Sequence, residues 1–454
     1  MSNSVPAHKI RLSELLGALS HALDMTEGQP RGHCVRCCWI GFHIGEAYGL
    51  SDEQLVDLYY TILLKDLGCS SNAARICELY LADDISLKQD VKLINGSLSA
   101  ALRFVLSHTG LKSGLAERFR AIINILQNGG EITRELIETR CHRGADIARQ
   151  MHFSQAVCDG IYRLDEHWDG SGKPDGVSGE DIPVFSRIAL LSQVIDVFRT
   201  NAGPEAAFRE IRARTGTWFD PRLTECFEHA AREPGFWQTL DSEDLGPLVY
   251  DLEPARLVRK VDEDQLDDIA AGFAQVIDSK SPYTAGHSER VTLFTDLIAE
   301  QLGYSEPDRR KLKRAALLHD IGKLGVSNMV LDKPGKLDED EWRSIRLHPV
   351  YSDQILSQVA AFADLSAIAR GHHERLDGKG YPDGLSGNEI GMDIRIVTTA
   401  DIFDALTADR PYRAAMPIEK ALNIMSEDIG TAIDETCFEG LRAALEKLGR
   451  MQAA

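Results

Sequence analysis

Apolar residues recur at helical spacing through much of the chain, and few stretches show the strict alternation of a strand. The run 311–318 is the clearest case, because Leu312 and Ala315 fall on one flank of it. Ser305 followed by Asp308 predicts an N-terminal cap for this helix. The pattern therefore predicts an all-α fold with irregular loops.

A histidine and an aspartate close this helix. His319 and Asp320 follow the last apolar residues, and Lys323 lies about one turn later. On their own these residues are more typical of a surface pair than of a functional site. The rest of the C-terminal half changes this balance, because further histidines and one carboxylate also lie next to helix-like apolar sequence: His287, His348, His372, His373 and Asp401.

Together these seven residues predict a metal centre in the core of a helical bundle. Ligands on several facing helices commonly converge into such a core. Imidazole and carboxylate groups without thiolate suit divalent ions such as Fe, Mn, Co or Zn. Seven ligands exceed one tetrahedral coordination sphere, so two ions are expected, with Asp320 as the carboxylate that bridges them.

The segment 262–454 resembles the HD-GYP phosphodiesterases, a branch of the HD phosphohydrolase superfamily. It holds both signatures of that family: His319-Asp320 with Lys323, and Gly380-Tyr381-Pro382 after the tandem histidines. The resemblance implies an HD-type helical bundle, the seven residues above as metal ligands, and hydrolysis of a cyclic dinucleotide. Cyclic di-GMP and 3′,3′-cyclic GMP-AMP are the expected substrates, converted to the linear dinucleotide or to mononucleotides.

The same resemblance implies roles for residues beside the ligands. Two Fe or Mn ions are favoured, with Zn, Co or Ni as alternatives. Such ions activate water for attack on phosphorus and neutralise phosphoryl charge. Asp320 and Lys323 are the expected catalytic residues, with Lys323 stabilising that charge or protonating the leaving oxygen. The expected substrate contacts are Lys323, Tyr381, Arg410 and Arg413. Arginine suits phosphate and guanine edges, and tyrosine can stack on a base.

Two other functions stay open at this point. Another HD phosphohydrolase would act on a nucleotide or oligonucleotide, and the Gly-Tyr-Pro loop argues against it. A cyclic-dinucleotide sensor, or an interaction module for diguanylate cyclase domains, would show little turnover, and the complete ligand set argues against it. Product analysis separates the three functions, which yield a linear dinucleotide, a mononucleotide or no product.

The chain contains two copies of one helical domain. Gly32-His33 parallels Gly286-His287 at an offset of 254, whereas Asp169-Gly170 parallels Asp377-Gly378 at an offset of 208. The difference predicts an insertion of about 46 residues in the N-terminal copy, within 81–138. The expected organisation is a degenerate HD-like domain, a linker and a catalytic HD-GYP domain: 1–232, 233–261 and 262–454.

The N-terminal copy lacks most of the chemical residues. His33 and Asp66 keep their type, and His142 is expected at the place of His348. The other counterparts differ: Lys65 for His319, Cys69 for Lys323, Leu164 for His372, Asp165 for His373 and Gln193 for Asp401. An ammonium at Lys65 repels a metal ion. This copy is therefore expected to bind no metal and to serve packing, dimerisation or regulation.

Charge and composition narrow the range of partners. A formal net charge of −20 disfavours binding to DNA, RNA or an anionic membrane. No stretch approaches the ~20 apolar residues that span a bilayer, and no signal peptide is recognisable. The nine cysteines are then expected as reduced thiols in the cytoplasm. A homodimer and a diguanylate cyclase domain are the expected protein partners.

Overall fold

The computed structural model describes residues 10–94, 98–111, 113–254, 256–410 and 413–453. This part of the chain forms helices joined by turns, and its β-pairings are isolated bridges. The predicted all-α fold is confirmed. Residue contacts divide the chain into two compact units, Ala7–Asp268 and Ile269–Ala454.

The N-terminal unit is built on a central group of long helices with shorter ones around it. Its α-helices are α1 (Leu12–Thr26), α2 (His33–Tyr48), α3 (Asp52–Leu63), α4 (Ala73–Tyr80), α5 (Asp84–Val91), α6 (Leu98–His108), α7 (Leu115–Gln150), α8 (Gln155–Tyr162), α9 (Val184–Ala202), α10 (Pro204–Arg214), α11 (Pro221–Ala230), α12 (Phe236–Leu240) and α13 (Leu245–Tyr250). Short 3₁₀ turns lie at Cys69–Asn72 and Gly179–Asp181.

The C-terminal unit follows through α14, inside which the division between the units falls. Its α-helices are α14 (Glu263–Asp278), α15 (His287–Gln301), α16 (Glu306–Leu318), α17 (Asn328–Leu331), α18 (Glu339–Arg346), α19 (His348–Leu356), α20 (Ala363–Gly371), α21 (Met392–Thr407), α22 (Ile418–Glu427) and α23 (Glu435–Ala453). Short 3₁₀ turns lie at Ile321–Gly325, Ala360–Phe362 and Gly387–Glu389.

Equivalent helices pack in the same way within each unit. In the N-terminal unit α2 packs on α3 and α9, and α7 packs on α8; in the C-terminal unit α15 packs on α16 and α21, and α19 packs on α20. Both α2 and α15 begin after a glycine in the left-handed region, Gly32 at φ 84° and Gly286 at φ 66°. The predicted cap of α16 is present, because the Ser305 side chain accepts from the backbone N–H of Asp308.

The insertion in the N-terminal copy is helical. Helices α5 and α6 lie within the predicted window 81–138, and the 36-residue α7 begins there. The first part of α7 exposes large apolar side chains, among them Leu115 and Phe119. The second part packs on α8 and the turn Cys69–Asn72. One helix thus joins the insertion to the core of the copy.

The predicted linker 233–261 lies within the N-terminal unit and carries α12 and α13. Phe236 and Val249 on these helices are buried. The ring of Tyr250 fills space beside Gly17, where an added Cβ would lie 2.2 Å from it. This segment is packed against helices of its own unit, while the domain bounds at 232 and 262 stay predictions.

Two further observations concern the whole chain. All nine cysteines lie within the described residues and are free thiols, and eight of them are buried. Within the described ranges, no helix has the length and apolar character needed to cross a membrane.

Candidate metal centre

The seven predicted ligands converge in the C-terminal unit. His287 begins α15, His319 and Asp320 follow α16, and His348 begins α19, while the remaining three come from the end of α20 and from α21. Their ligand atoms form two groups, each with all members within 4.8 Å of one another: Asp320 with His348, His372 and His373, and His287 with His319 and Asp401. The arrangement offers two adjacent positions for metal ions.

Asp320 lies between the two groups. Its Oδ2 is 3.3 Å from the Nε2 atoms of His287 and of His319. Its Oδ1 is 3.2 Å from Nε2 of His348 and 3.6 Å from Nε2 of His372. One carboxylate oxygen therefore faces each group, which is the placement that a bridging ligand requires.

Close backbone packing holds Asp320 in this position. The chain turns at Gly322, where an added Cβ would lie 2.0 Å from the carbonyl oxygen of His348. The Ser352 hydroxyl donates to the carbonyl of His319 and accepts from the N–H of Gly322. Any larger residue at 322 would push α19 and its histidine away from the centre.

The histidines are oriented by acceptors on their outer nitrogens. Nδ1 of His319 lies 2.7 Å from the carbonyl oxygen of Ala316, and His348 and His372 make the same contact with the carbonyl three residues before each. Nδ1 of His287 lies 2.7 Å from Oδ2 of Asp404. Since Nδ1 then holds the proton, the Nε2 lone pair of each ring points into the centre.

Several buried atoms of the cluster suit a cation. Among the described residues, Nε2 of His287, Nε2 of His319 and Oδ1 of Asp320 have no hydrogen-bond partner, although each side chain is almost fully buried. Buried polar atoms in folded proteins nearly always have a partner. Imidazole and carboxylate donors that point at one another across a buried space fit divalent metal ions.

The acid–base state of the cluster also suits metal binding. Burial lowers the pKa of His348 to about 4 and lowers those of His372 and His373, so these rings are neutral ligands at pH 7. Burial alone would raise the pKa of Asp320, but His319 and Lys323 hold it well below its usual value. For His287, the nearby carboxylates of Asp320, Asp404 and Asp401 outweigh burial and raise its pKa to about 9. Ion binding to the His287 group is therefore coupled to proton release.

A cavity of about 700 Å³ adjoins the cluster. Lys323, Tyr381 and Arg410 line it together with His348 and His373. The Lys323 ammonium pairs with Oδ2 of Asp320 and keeps a fifth of its side chain exposed. Further basic residues on the wall are Lys333 and Lys336. This local positive charge can attract an anion to a chain whose net charge is negative.

The Glu374 side chain holds the loop that carries Tyr381 through hydrogen bonds. The Glu374 carboxylate accepts from the backbone N–H groups of Asp383, Gly384 and Leu385 at 2.6, 3.1 and 2.9 Å. The Tyr381 ring stacks on His373, with ring centroids 4.8 Å apart and an angle of 28° between the planes. The tyrosine thus bridges the ligand cluster and the cavity.

Arg413 does not join the other predicted substrate contacts. Its guanidinium donates to the carbonyl oxygens of Leu406 and Ala414 at 2.9 and 2.8 Å, and also to that of Ala405. It is absent from the described residues that line the cavity. Carbonyl groups at the end of α21 attract this donor, so Arg413 holds the chain after the helix, whereas Arg410 reaches the cavity.

Asp404 is not among the predicted ligands, and it supports the centre from outside the cluster. Its Oδ2 binds His287, and its carboxylate accepts from Arg290. The signal was its position three residues after Asp401, since such residues lie on one face of a helix.

The sequence matches one known protein family in both copies. The model of the HD domain family matches residues 111–223 and 272–437, which are parts of both copies. The chain belongs to the HD domain family. The predicted resemblance is thereby confirmed, and it extends to the N-terminal copy.

This HD-domain chain is similar to two relatives and to one solved structure. It is 55% identical to the 3′3′-cGAMP-specific phosphodiesterase 3 of Vibrio cholerae serotype O1, over 98% of this chain and 97% of the relative. It is 42% identical to the cyclic di-GMP phosphodiesterase response regulator RpfG of Xanthomonas campestris, over 39% of this chain and 48% of that one. A crystal structure of a cyclic GMP-AMP-specific phosphodiesterase of V. cholerae matches with a TM-score of 0.66 and 51% identity, covering 96% and 98% of the two chains.

In the N-terminal HD copy, lysine side chains lie next to the residues that could still bind a metal ion. His33, Cys37 and Asp196 form one cluster, and Glu27, Asp66 and Cys69 form another. Lys65 pairs with Asp66, and its Nζ lies 3.2 Å from Nε2 of His33. Lys92 lies 2.7 Å from the Glu27 carboxylate. Ammonium groups thus stand beside these ligand-type atoms, where they repel a metal ion, and the loss of metal binding stays a prediction.

The predicted match between His142 and His348 is wrong. In the N-terminal HD copy the carbonyl of Arg140 lies against Gly68, as that of His348 lies against Gly322. The His142 side chain is exposed and contacts Tyr162. The counterpart of His348 is therefore Arg140, whose Nε lies 2.7 Å from Oδ2 of Asp165.

Proposed function

We propose that this chain is a metal-dependent phosphodiesterase that opens a cyclic dinucleotide, with 3′,3′-cyclic GMP-AMP preferred over cyclic di-GMP. The observation that carries the proposal is the convergence of seven ligands beside a basic cavity that also presents Lys323 and Tyr381. The base preference follows the relative that matches nearly the full chain, which is cGAMP-specific. The cyclic di-GMP phosphodiesterase RpfG matches only 39% of the chain.

Two metal ions would be held by the two ligand groups, with Asp320 shared between them. Fe or Mn is the preferred identity and Zn, Co or Ni the alternatives, because the donors are imidazole and carboxylate. When bound, such ions supply Lewis acidity toward phosphoryl oxygen and lower the pKa of water. The chain itself supplies the fixed orientation of the rings through their outer hydrogen bonds.

Lys323 is the proposed proton donor and charge-stabilising group. Its ammonium lines the cavity beside Asp320, where a phosphodiester entering the cavity meets the ligand cluster. There it can pair with a phosphoryl oxygen and transfer a proton to the leaving 3′ oxygen. A fifth of its side chain is exposed, so a ligand in the cavity can reach the ammonium group.

Tyr381 and Arg410 are the proposed contacts to the rest of the substrate. The Tyr381 ring is fixed on one face by His373 and lines the cavity, so it can pack against a base or a sugar. Arg410 on the same wall can donate to phosphate or to a guanine edge. A homodimer, a diguanylate cyclase partner and a cytoplasmic location stay predictions.

Chromatography of reaction products tests the proposal. The metal-loaded chain is incubated separately with 3′,3′-cyclic GMP-AMP, with cyclic di-GMP and with a non-cyclic dinucleotide, beside Asp320→Ala. We expect linear dinucleotide from the wild type, faster from cyclic GMP-AMP, and none from the variant. Intact substrate in all wild-type reactions would point to a sensor, and mononucleotide release from the non-cyclic dinucleotide alone would point to another phosphohydrolase.

A further inference from the structure

The N-terminal copy contains a cavity of about 480 Å³ where its own catalytic cleft would have been. Residues that line it occupy the positions of Lys323, His348, His373 and Tyr381 in the other copy: Cys69, Arg140, Asp165 and Lys173. The space that adjoins the ligand cluster in the C-terminal copy has therefore persisted, although the ligands have changed.

Basic side chains dominate the charge of this cavity. Lys88, Lys92, Arg140, Lys173 and Arg214 line it, against the carboxylates of Glu27 and Asp165. Arg140 is paired with Asp165, and Arg214 with Glu210. Lys88 and Lys92 share the single carboxylate of Glu27, at 3.7 and 2.7 Å.

Burying cations is costly unless their charge is compensated. The Lys88 and Lys92 side chains are only 8% and 11% exposed. With one carboxylate between them, the cavity keeps an excess of positive charge, while the chain as a whole carries −20. An anionic ligand would supply the missing negative charge.

A second observation points to a ligand independently of the charges. Gln193 lines the cavity at the position of Asp401, and its side chain is almost fully buried. Within the part of the chain that the structure describes, its Oε1 has no hydrogen-bond partner. A buried amide oxygen without a donor is rare in folded proteins, and a ligand N–H or O–H would satisfy it.

Much of the remaining wall is apolar. Ile76, Leu87, Leu136 and Val194 face the cavity. Purely inorganic anions gain nothing from such a surface, whereas a flat organic ring does. The combination of lysine and arginine, one unsatisfied amide oxygen and aliphatic walls matches a phosphate joined to a nucleobase.

We propose that this cavity is a binding site for a phosphate-bearing nucleotide, held through lysine, arginine and Gln193 and not through metal ions. Arg140, at the position of His348, and Gln193, at the position of Asp401, stand on the cavity wall where the other copy has predicted metal ligands. Such a site can bind a phosphate without hydrolysing it. The proposal does not depend on the catalytic activity of the C-terminal copy.

Calorimetric titration of the full chain after treatment with a chelator tests the proposal. The probes are inorganic phosphate, GMP, the linear dinucleotide and 3′,3′-cyclic GMP-AMP, which separate product, substrate and simple anion. The cavity variants are Lys92→Met, which leaves Glu27 paired with Lys88, and Gln193→Leu. The controls are Arg149→Met and Arg232→Met, two exposed cations of the N-terminal unit outside the cavity that pair with Asp146 and Glu228.

We expect at least one nucleotide to bind the metal-free chain more tightly than phosphate does. Its Kd should rise at least tenfold in Lys92→Met and Gln193→Leu and stay unchanged in both controls. If the buried variants fail to fold, Lys173→Ala at the half-buried cavity wall decides in their place. Absence of nucleotide binding, phosphate binding as tightly as the nucleotides, or a Kd that the cavity variants leave unchanged would overturn the proposal.

Discussion

Among the residues that are not predicted metal ligands, Lys323 matters most for the proposed chemistry. It pairs with Asp320 and lines the cavity. Lys323→Ala should keep the metal content of the wild type and lower kcat by roughly 10²–10⁴, the range for loss of a general acid. Metal analysis and steady-state rates on the same preparation measure both quantities. Lys313→Ala, on the surface of α16 beside Glu306, is the control that should change neither. An unchanged kcat in Lys323→Ala would contradict the role of Lys323 as a general acid.

Asp404 provides a second prediction, with a control inside the same chain. Asp404 and Asp196 each lie 2.7 Å from Nδ1 of a histidine, His287 and His33, and each also binds an arginine. Asp404→Asn should weaken metal binding by about 10–100-fold, because it removes the carboxylate that orients a ligand ring. Asp196→Asn should leave the metal content unchanged. Equal metal affinity in the two variants would contradict the role given to Asp404.

At the residue scale, the identity of the candidate ligands could be read from the sequence, because histidine and aspartate beside apolar helix ends carry their own chemical signal. All seven converge in the structure. The direction of a long flexible side chain in a loop could not be read in this way. Arg413 turns to backbone carbonyls while Arg410 turns to the cavity, and only the fold after α21 decides between them.

At the scale of elements, the loop between α20 and α21 offers a third prediction. The Glu374 carboxylate accepts from three backbone N–H groups of this loop, so Glu374→Ala should release the segment that carries Tyr381. We expect KM to rise about tenfold or more while the metal content stays constant. Glu166→Ala, which removes the equivalent support in the N-terminal copy, is the matched control. A wild-type KM in Glu374→Ala would show that the loop holds its position without this carboxylate.

Helix starts were predictable because their signals are local. Ser305 and Asp308 lie three residues apart, and the cap forms within that distance. The alignment of α7 with the C-terminal copy was harder to predict, because the insertion and the core share this one 36-residue helix. The offset of 208 from the later part of the chain gives Arg140 as the counterpart of His348, and the packing against Gly68 agrees.

At the scale of the whole molecule, two copies of one fold differ in how their buried carboxylates are neutralised. In the N-terminal copy Lys65 pairs with Asp66 and Arg140 with Asp165. In the C-terminal copy Lys323 pairs with one oxygen of Asp320, and Asp320 and Asp401 face imidazoles in a cluster with unpartnered buried atoms within the described residues. The first arrangement needs no added cation, whereas the second favours one.

This difference predicts how the molecule responds to metal removal. After chelation, hydrogen exchange should become faster in α15, α16 and α21, whose side chains meet at the cluster, because bound metal stabilises the folded state by mass action. Exchange in α2, α3 and α9 should stay the same, since their charges are balanced by the protein itself. Equal acceleration in both sets of helices, or no change in either, would contradict the assignment of metal to one copy.

Metal titration of the chelated chain, with cyclic dinucleotide hydrolysis followed at each step, tests the central claim most directly. The claim is that the seven ligands of the C-terminal copy form a two-metal centre that hydrolyses the substrate. Activity should rise with added Mn or Fe and reach its plateau at two equivalents per chain, while Asp320→Ala stays inactive at every point. Full activity at one equivalent, or activity in the chelated chain before any metal is added, would contradict the account.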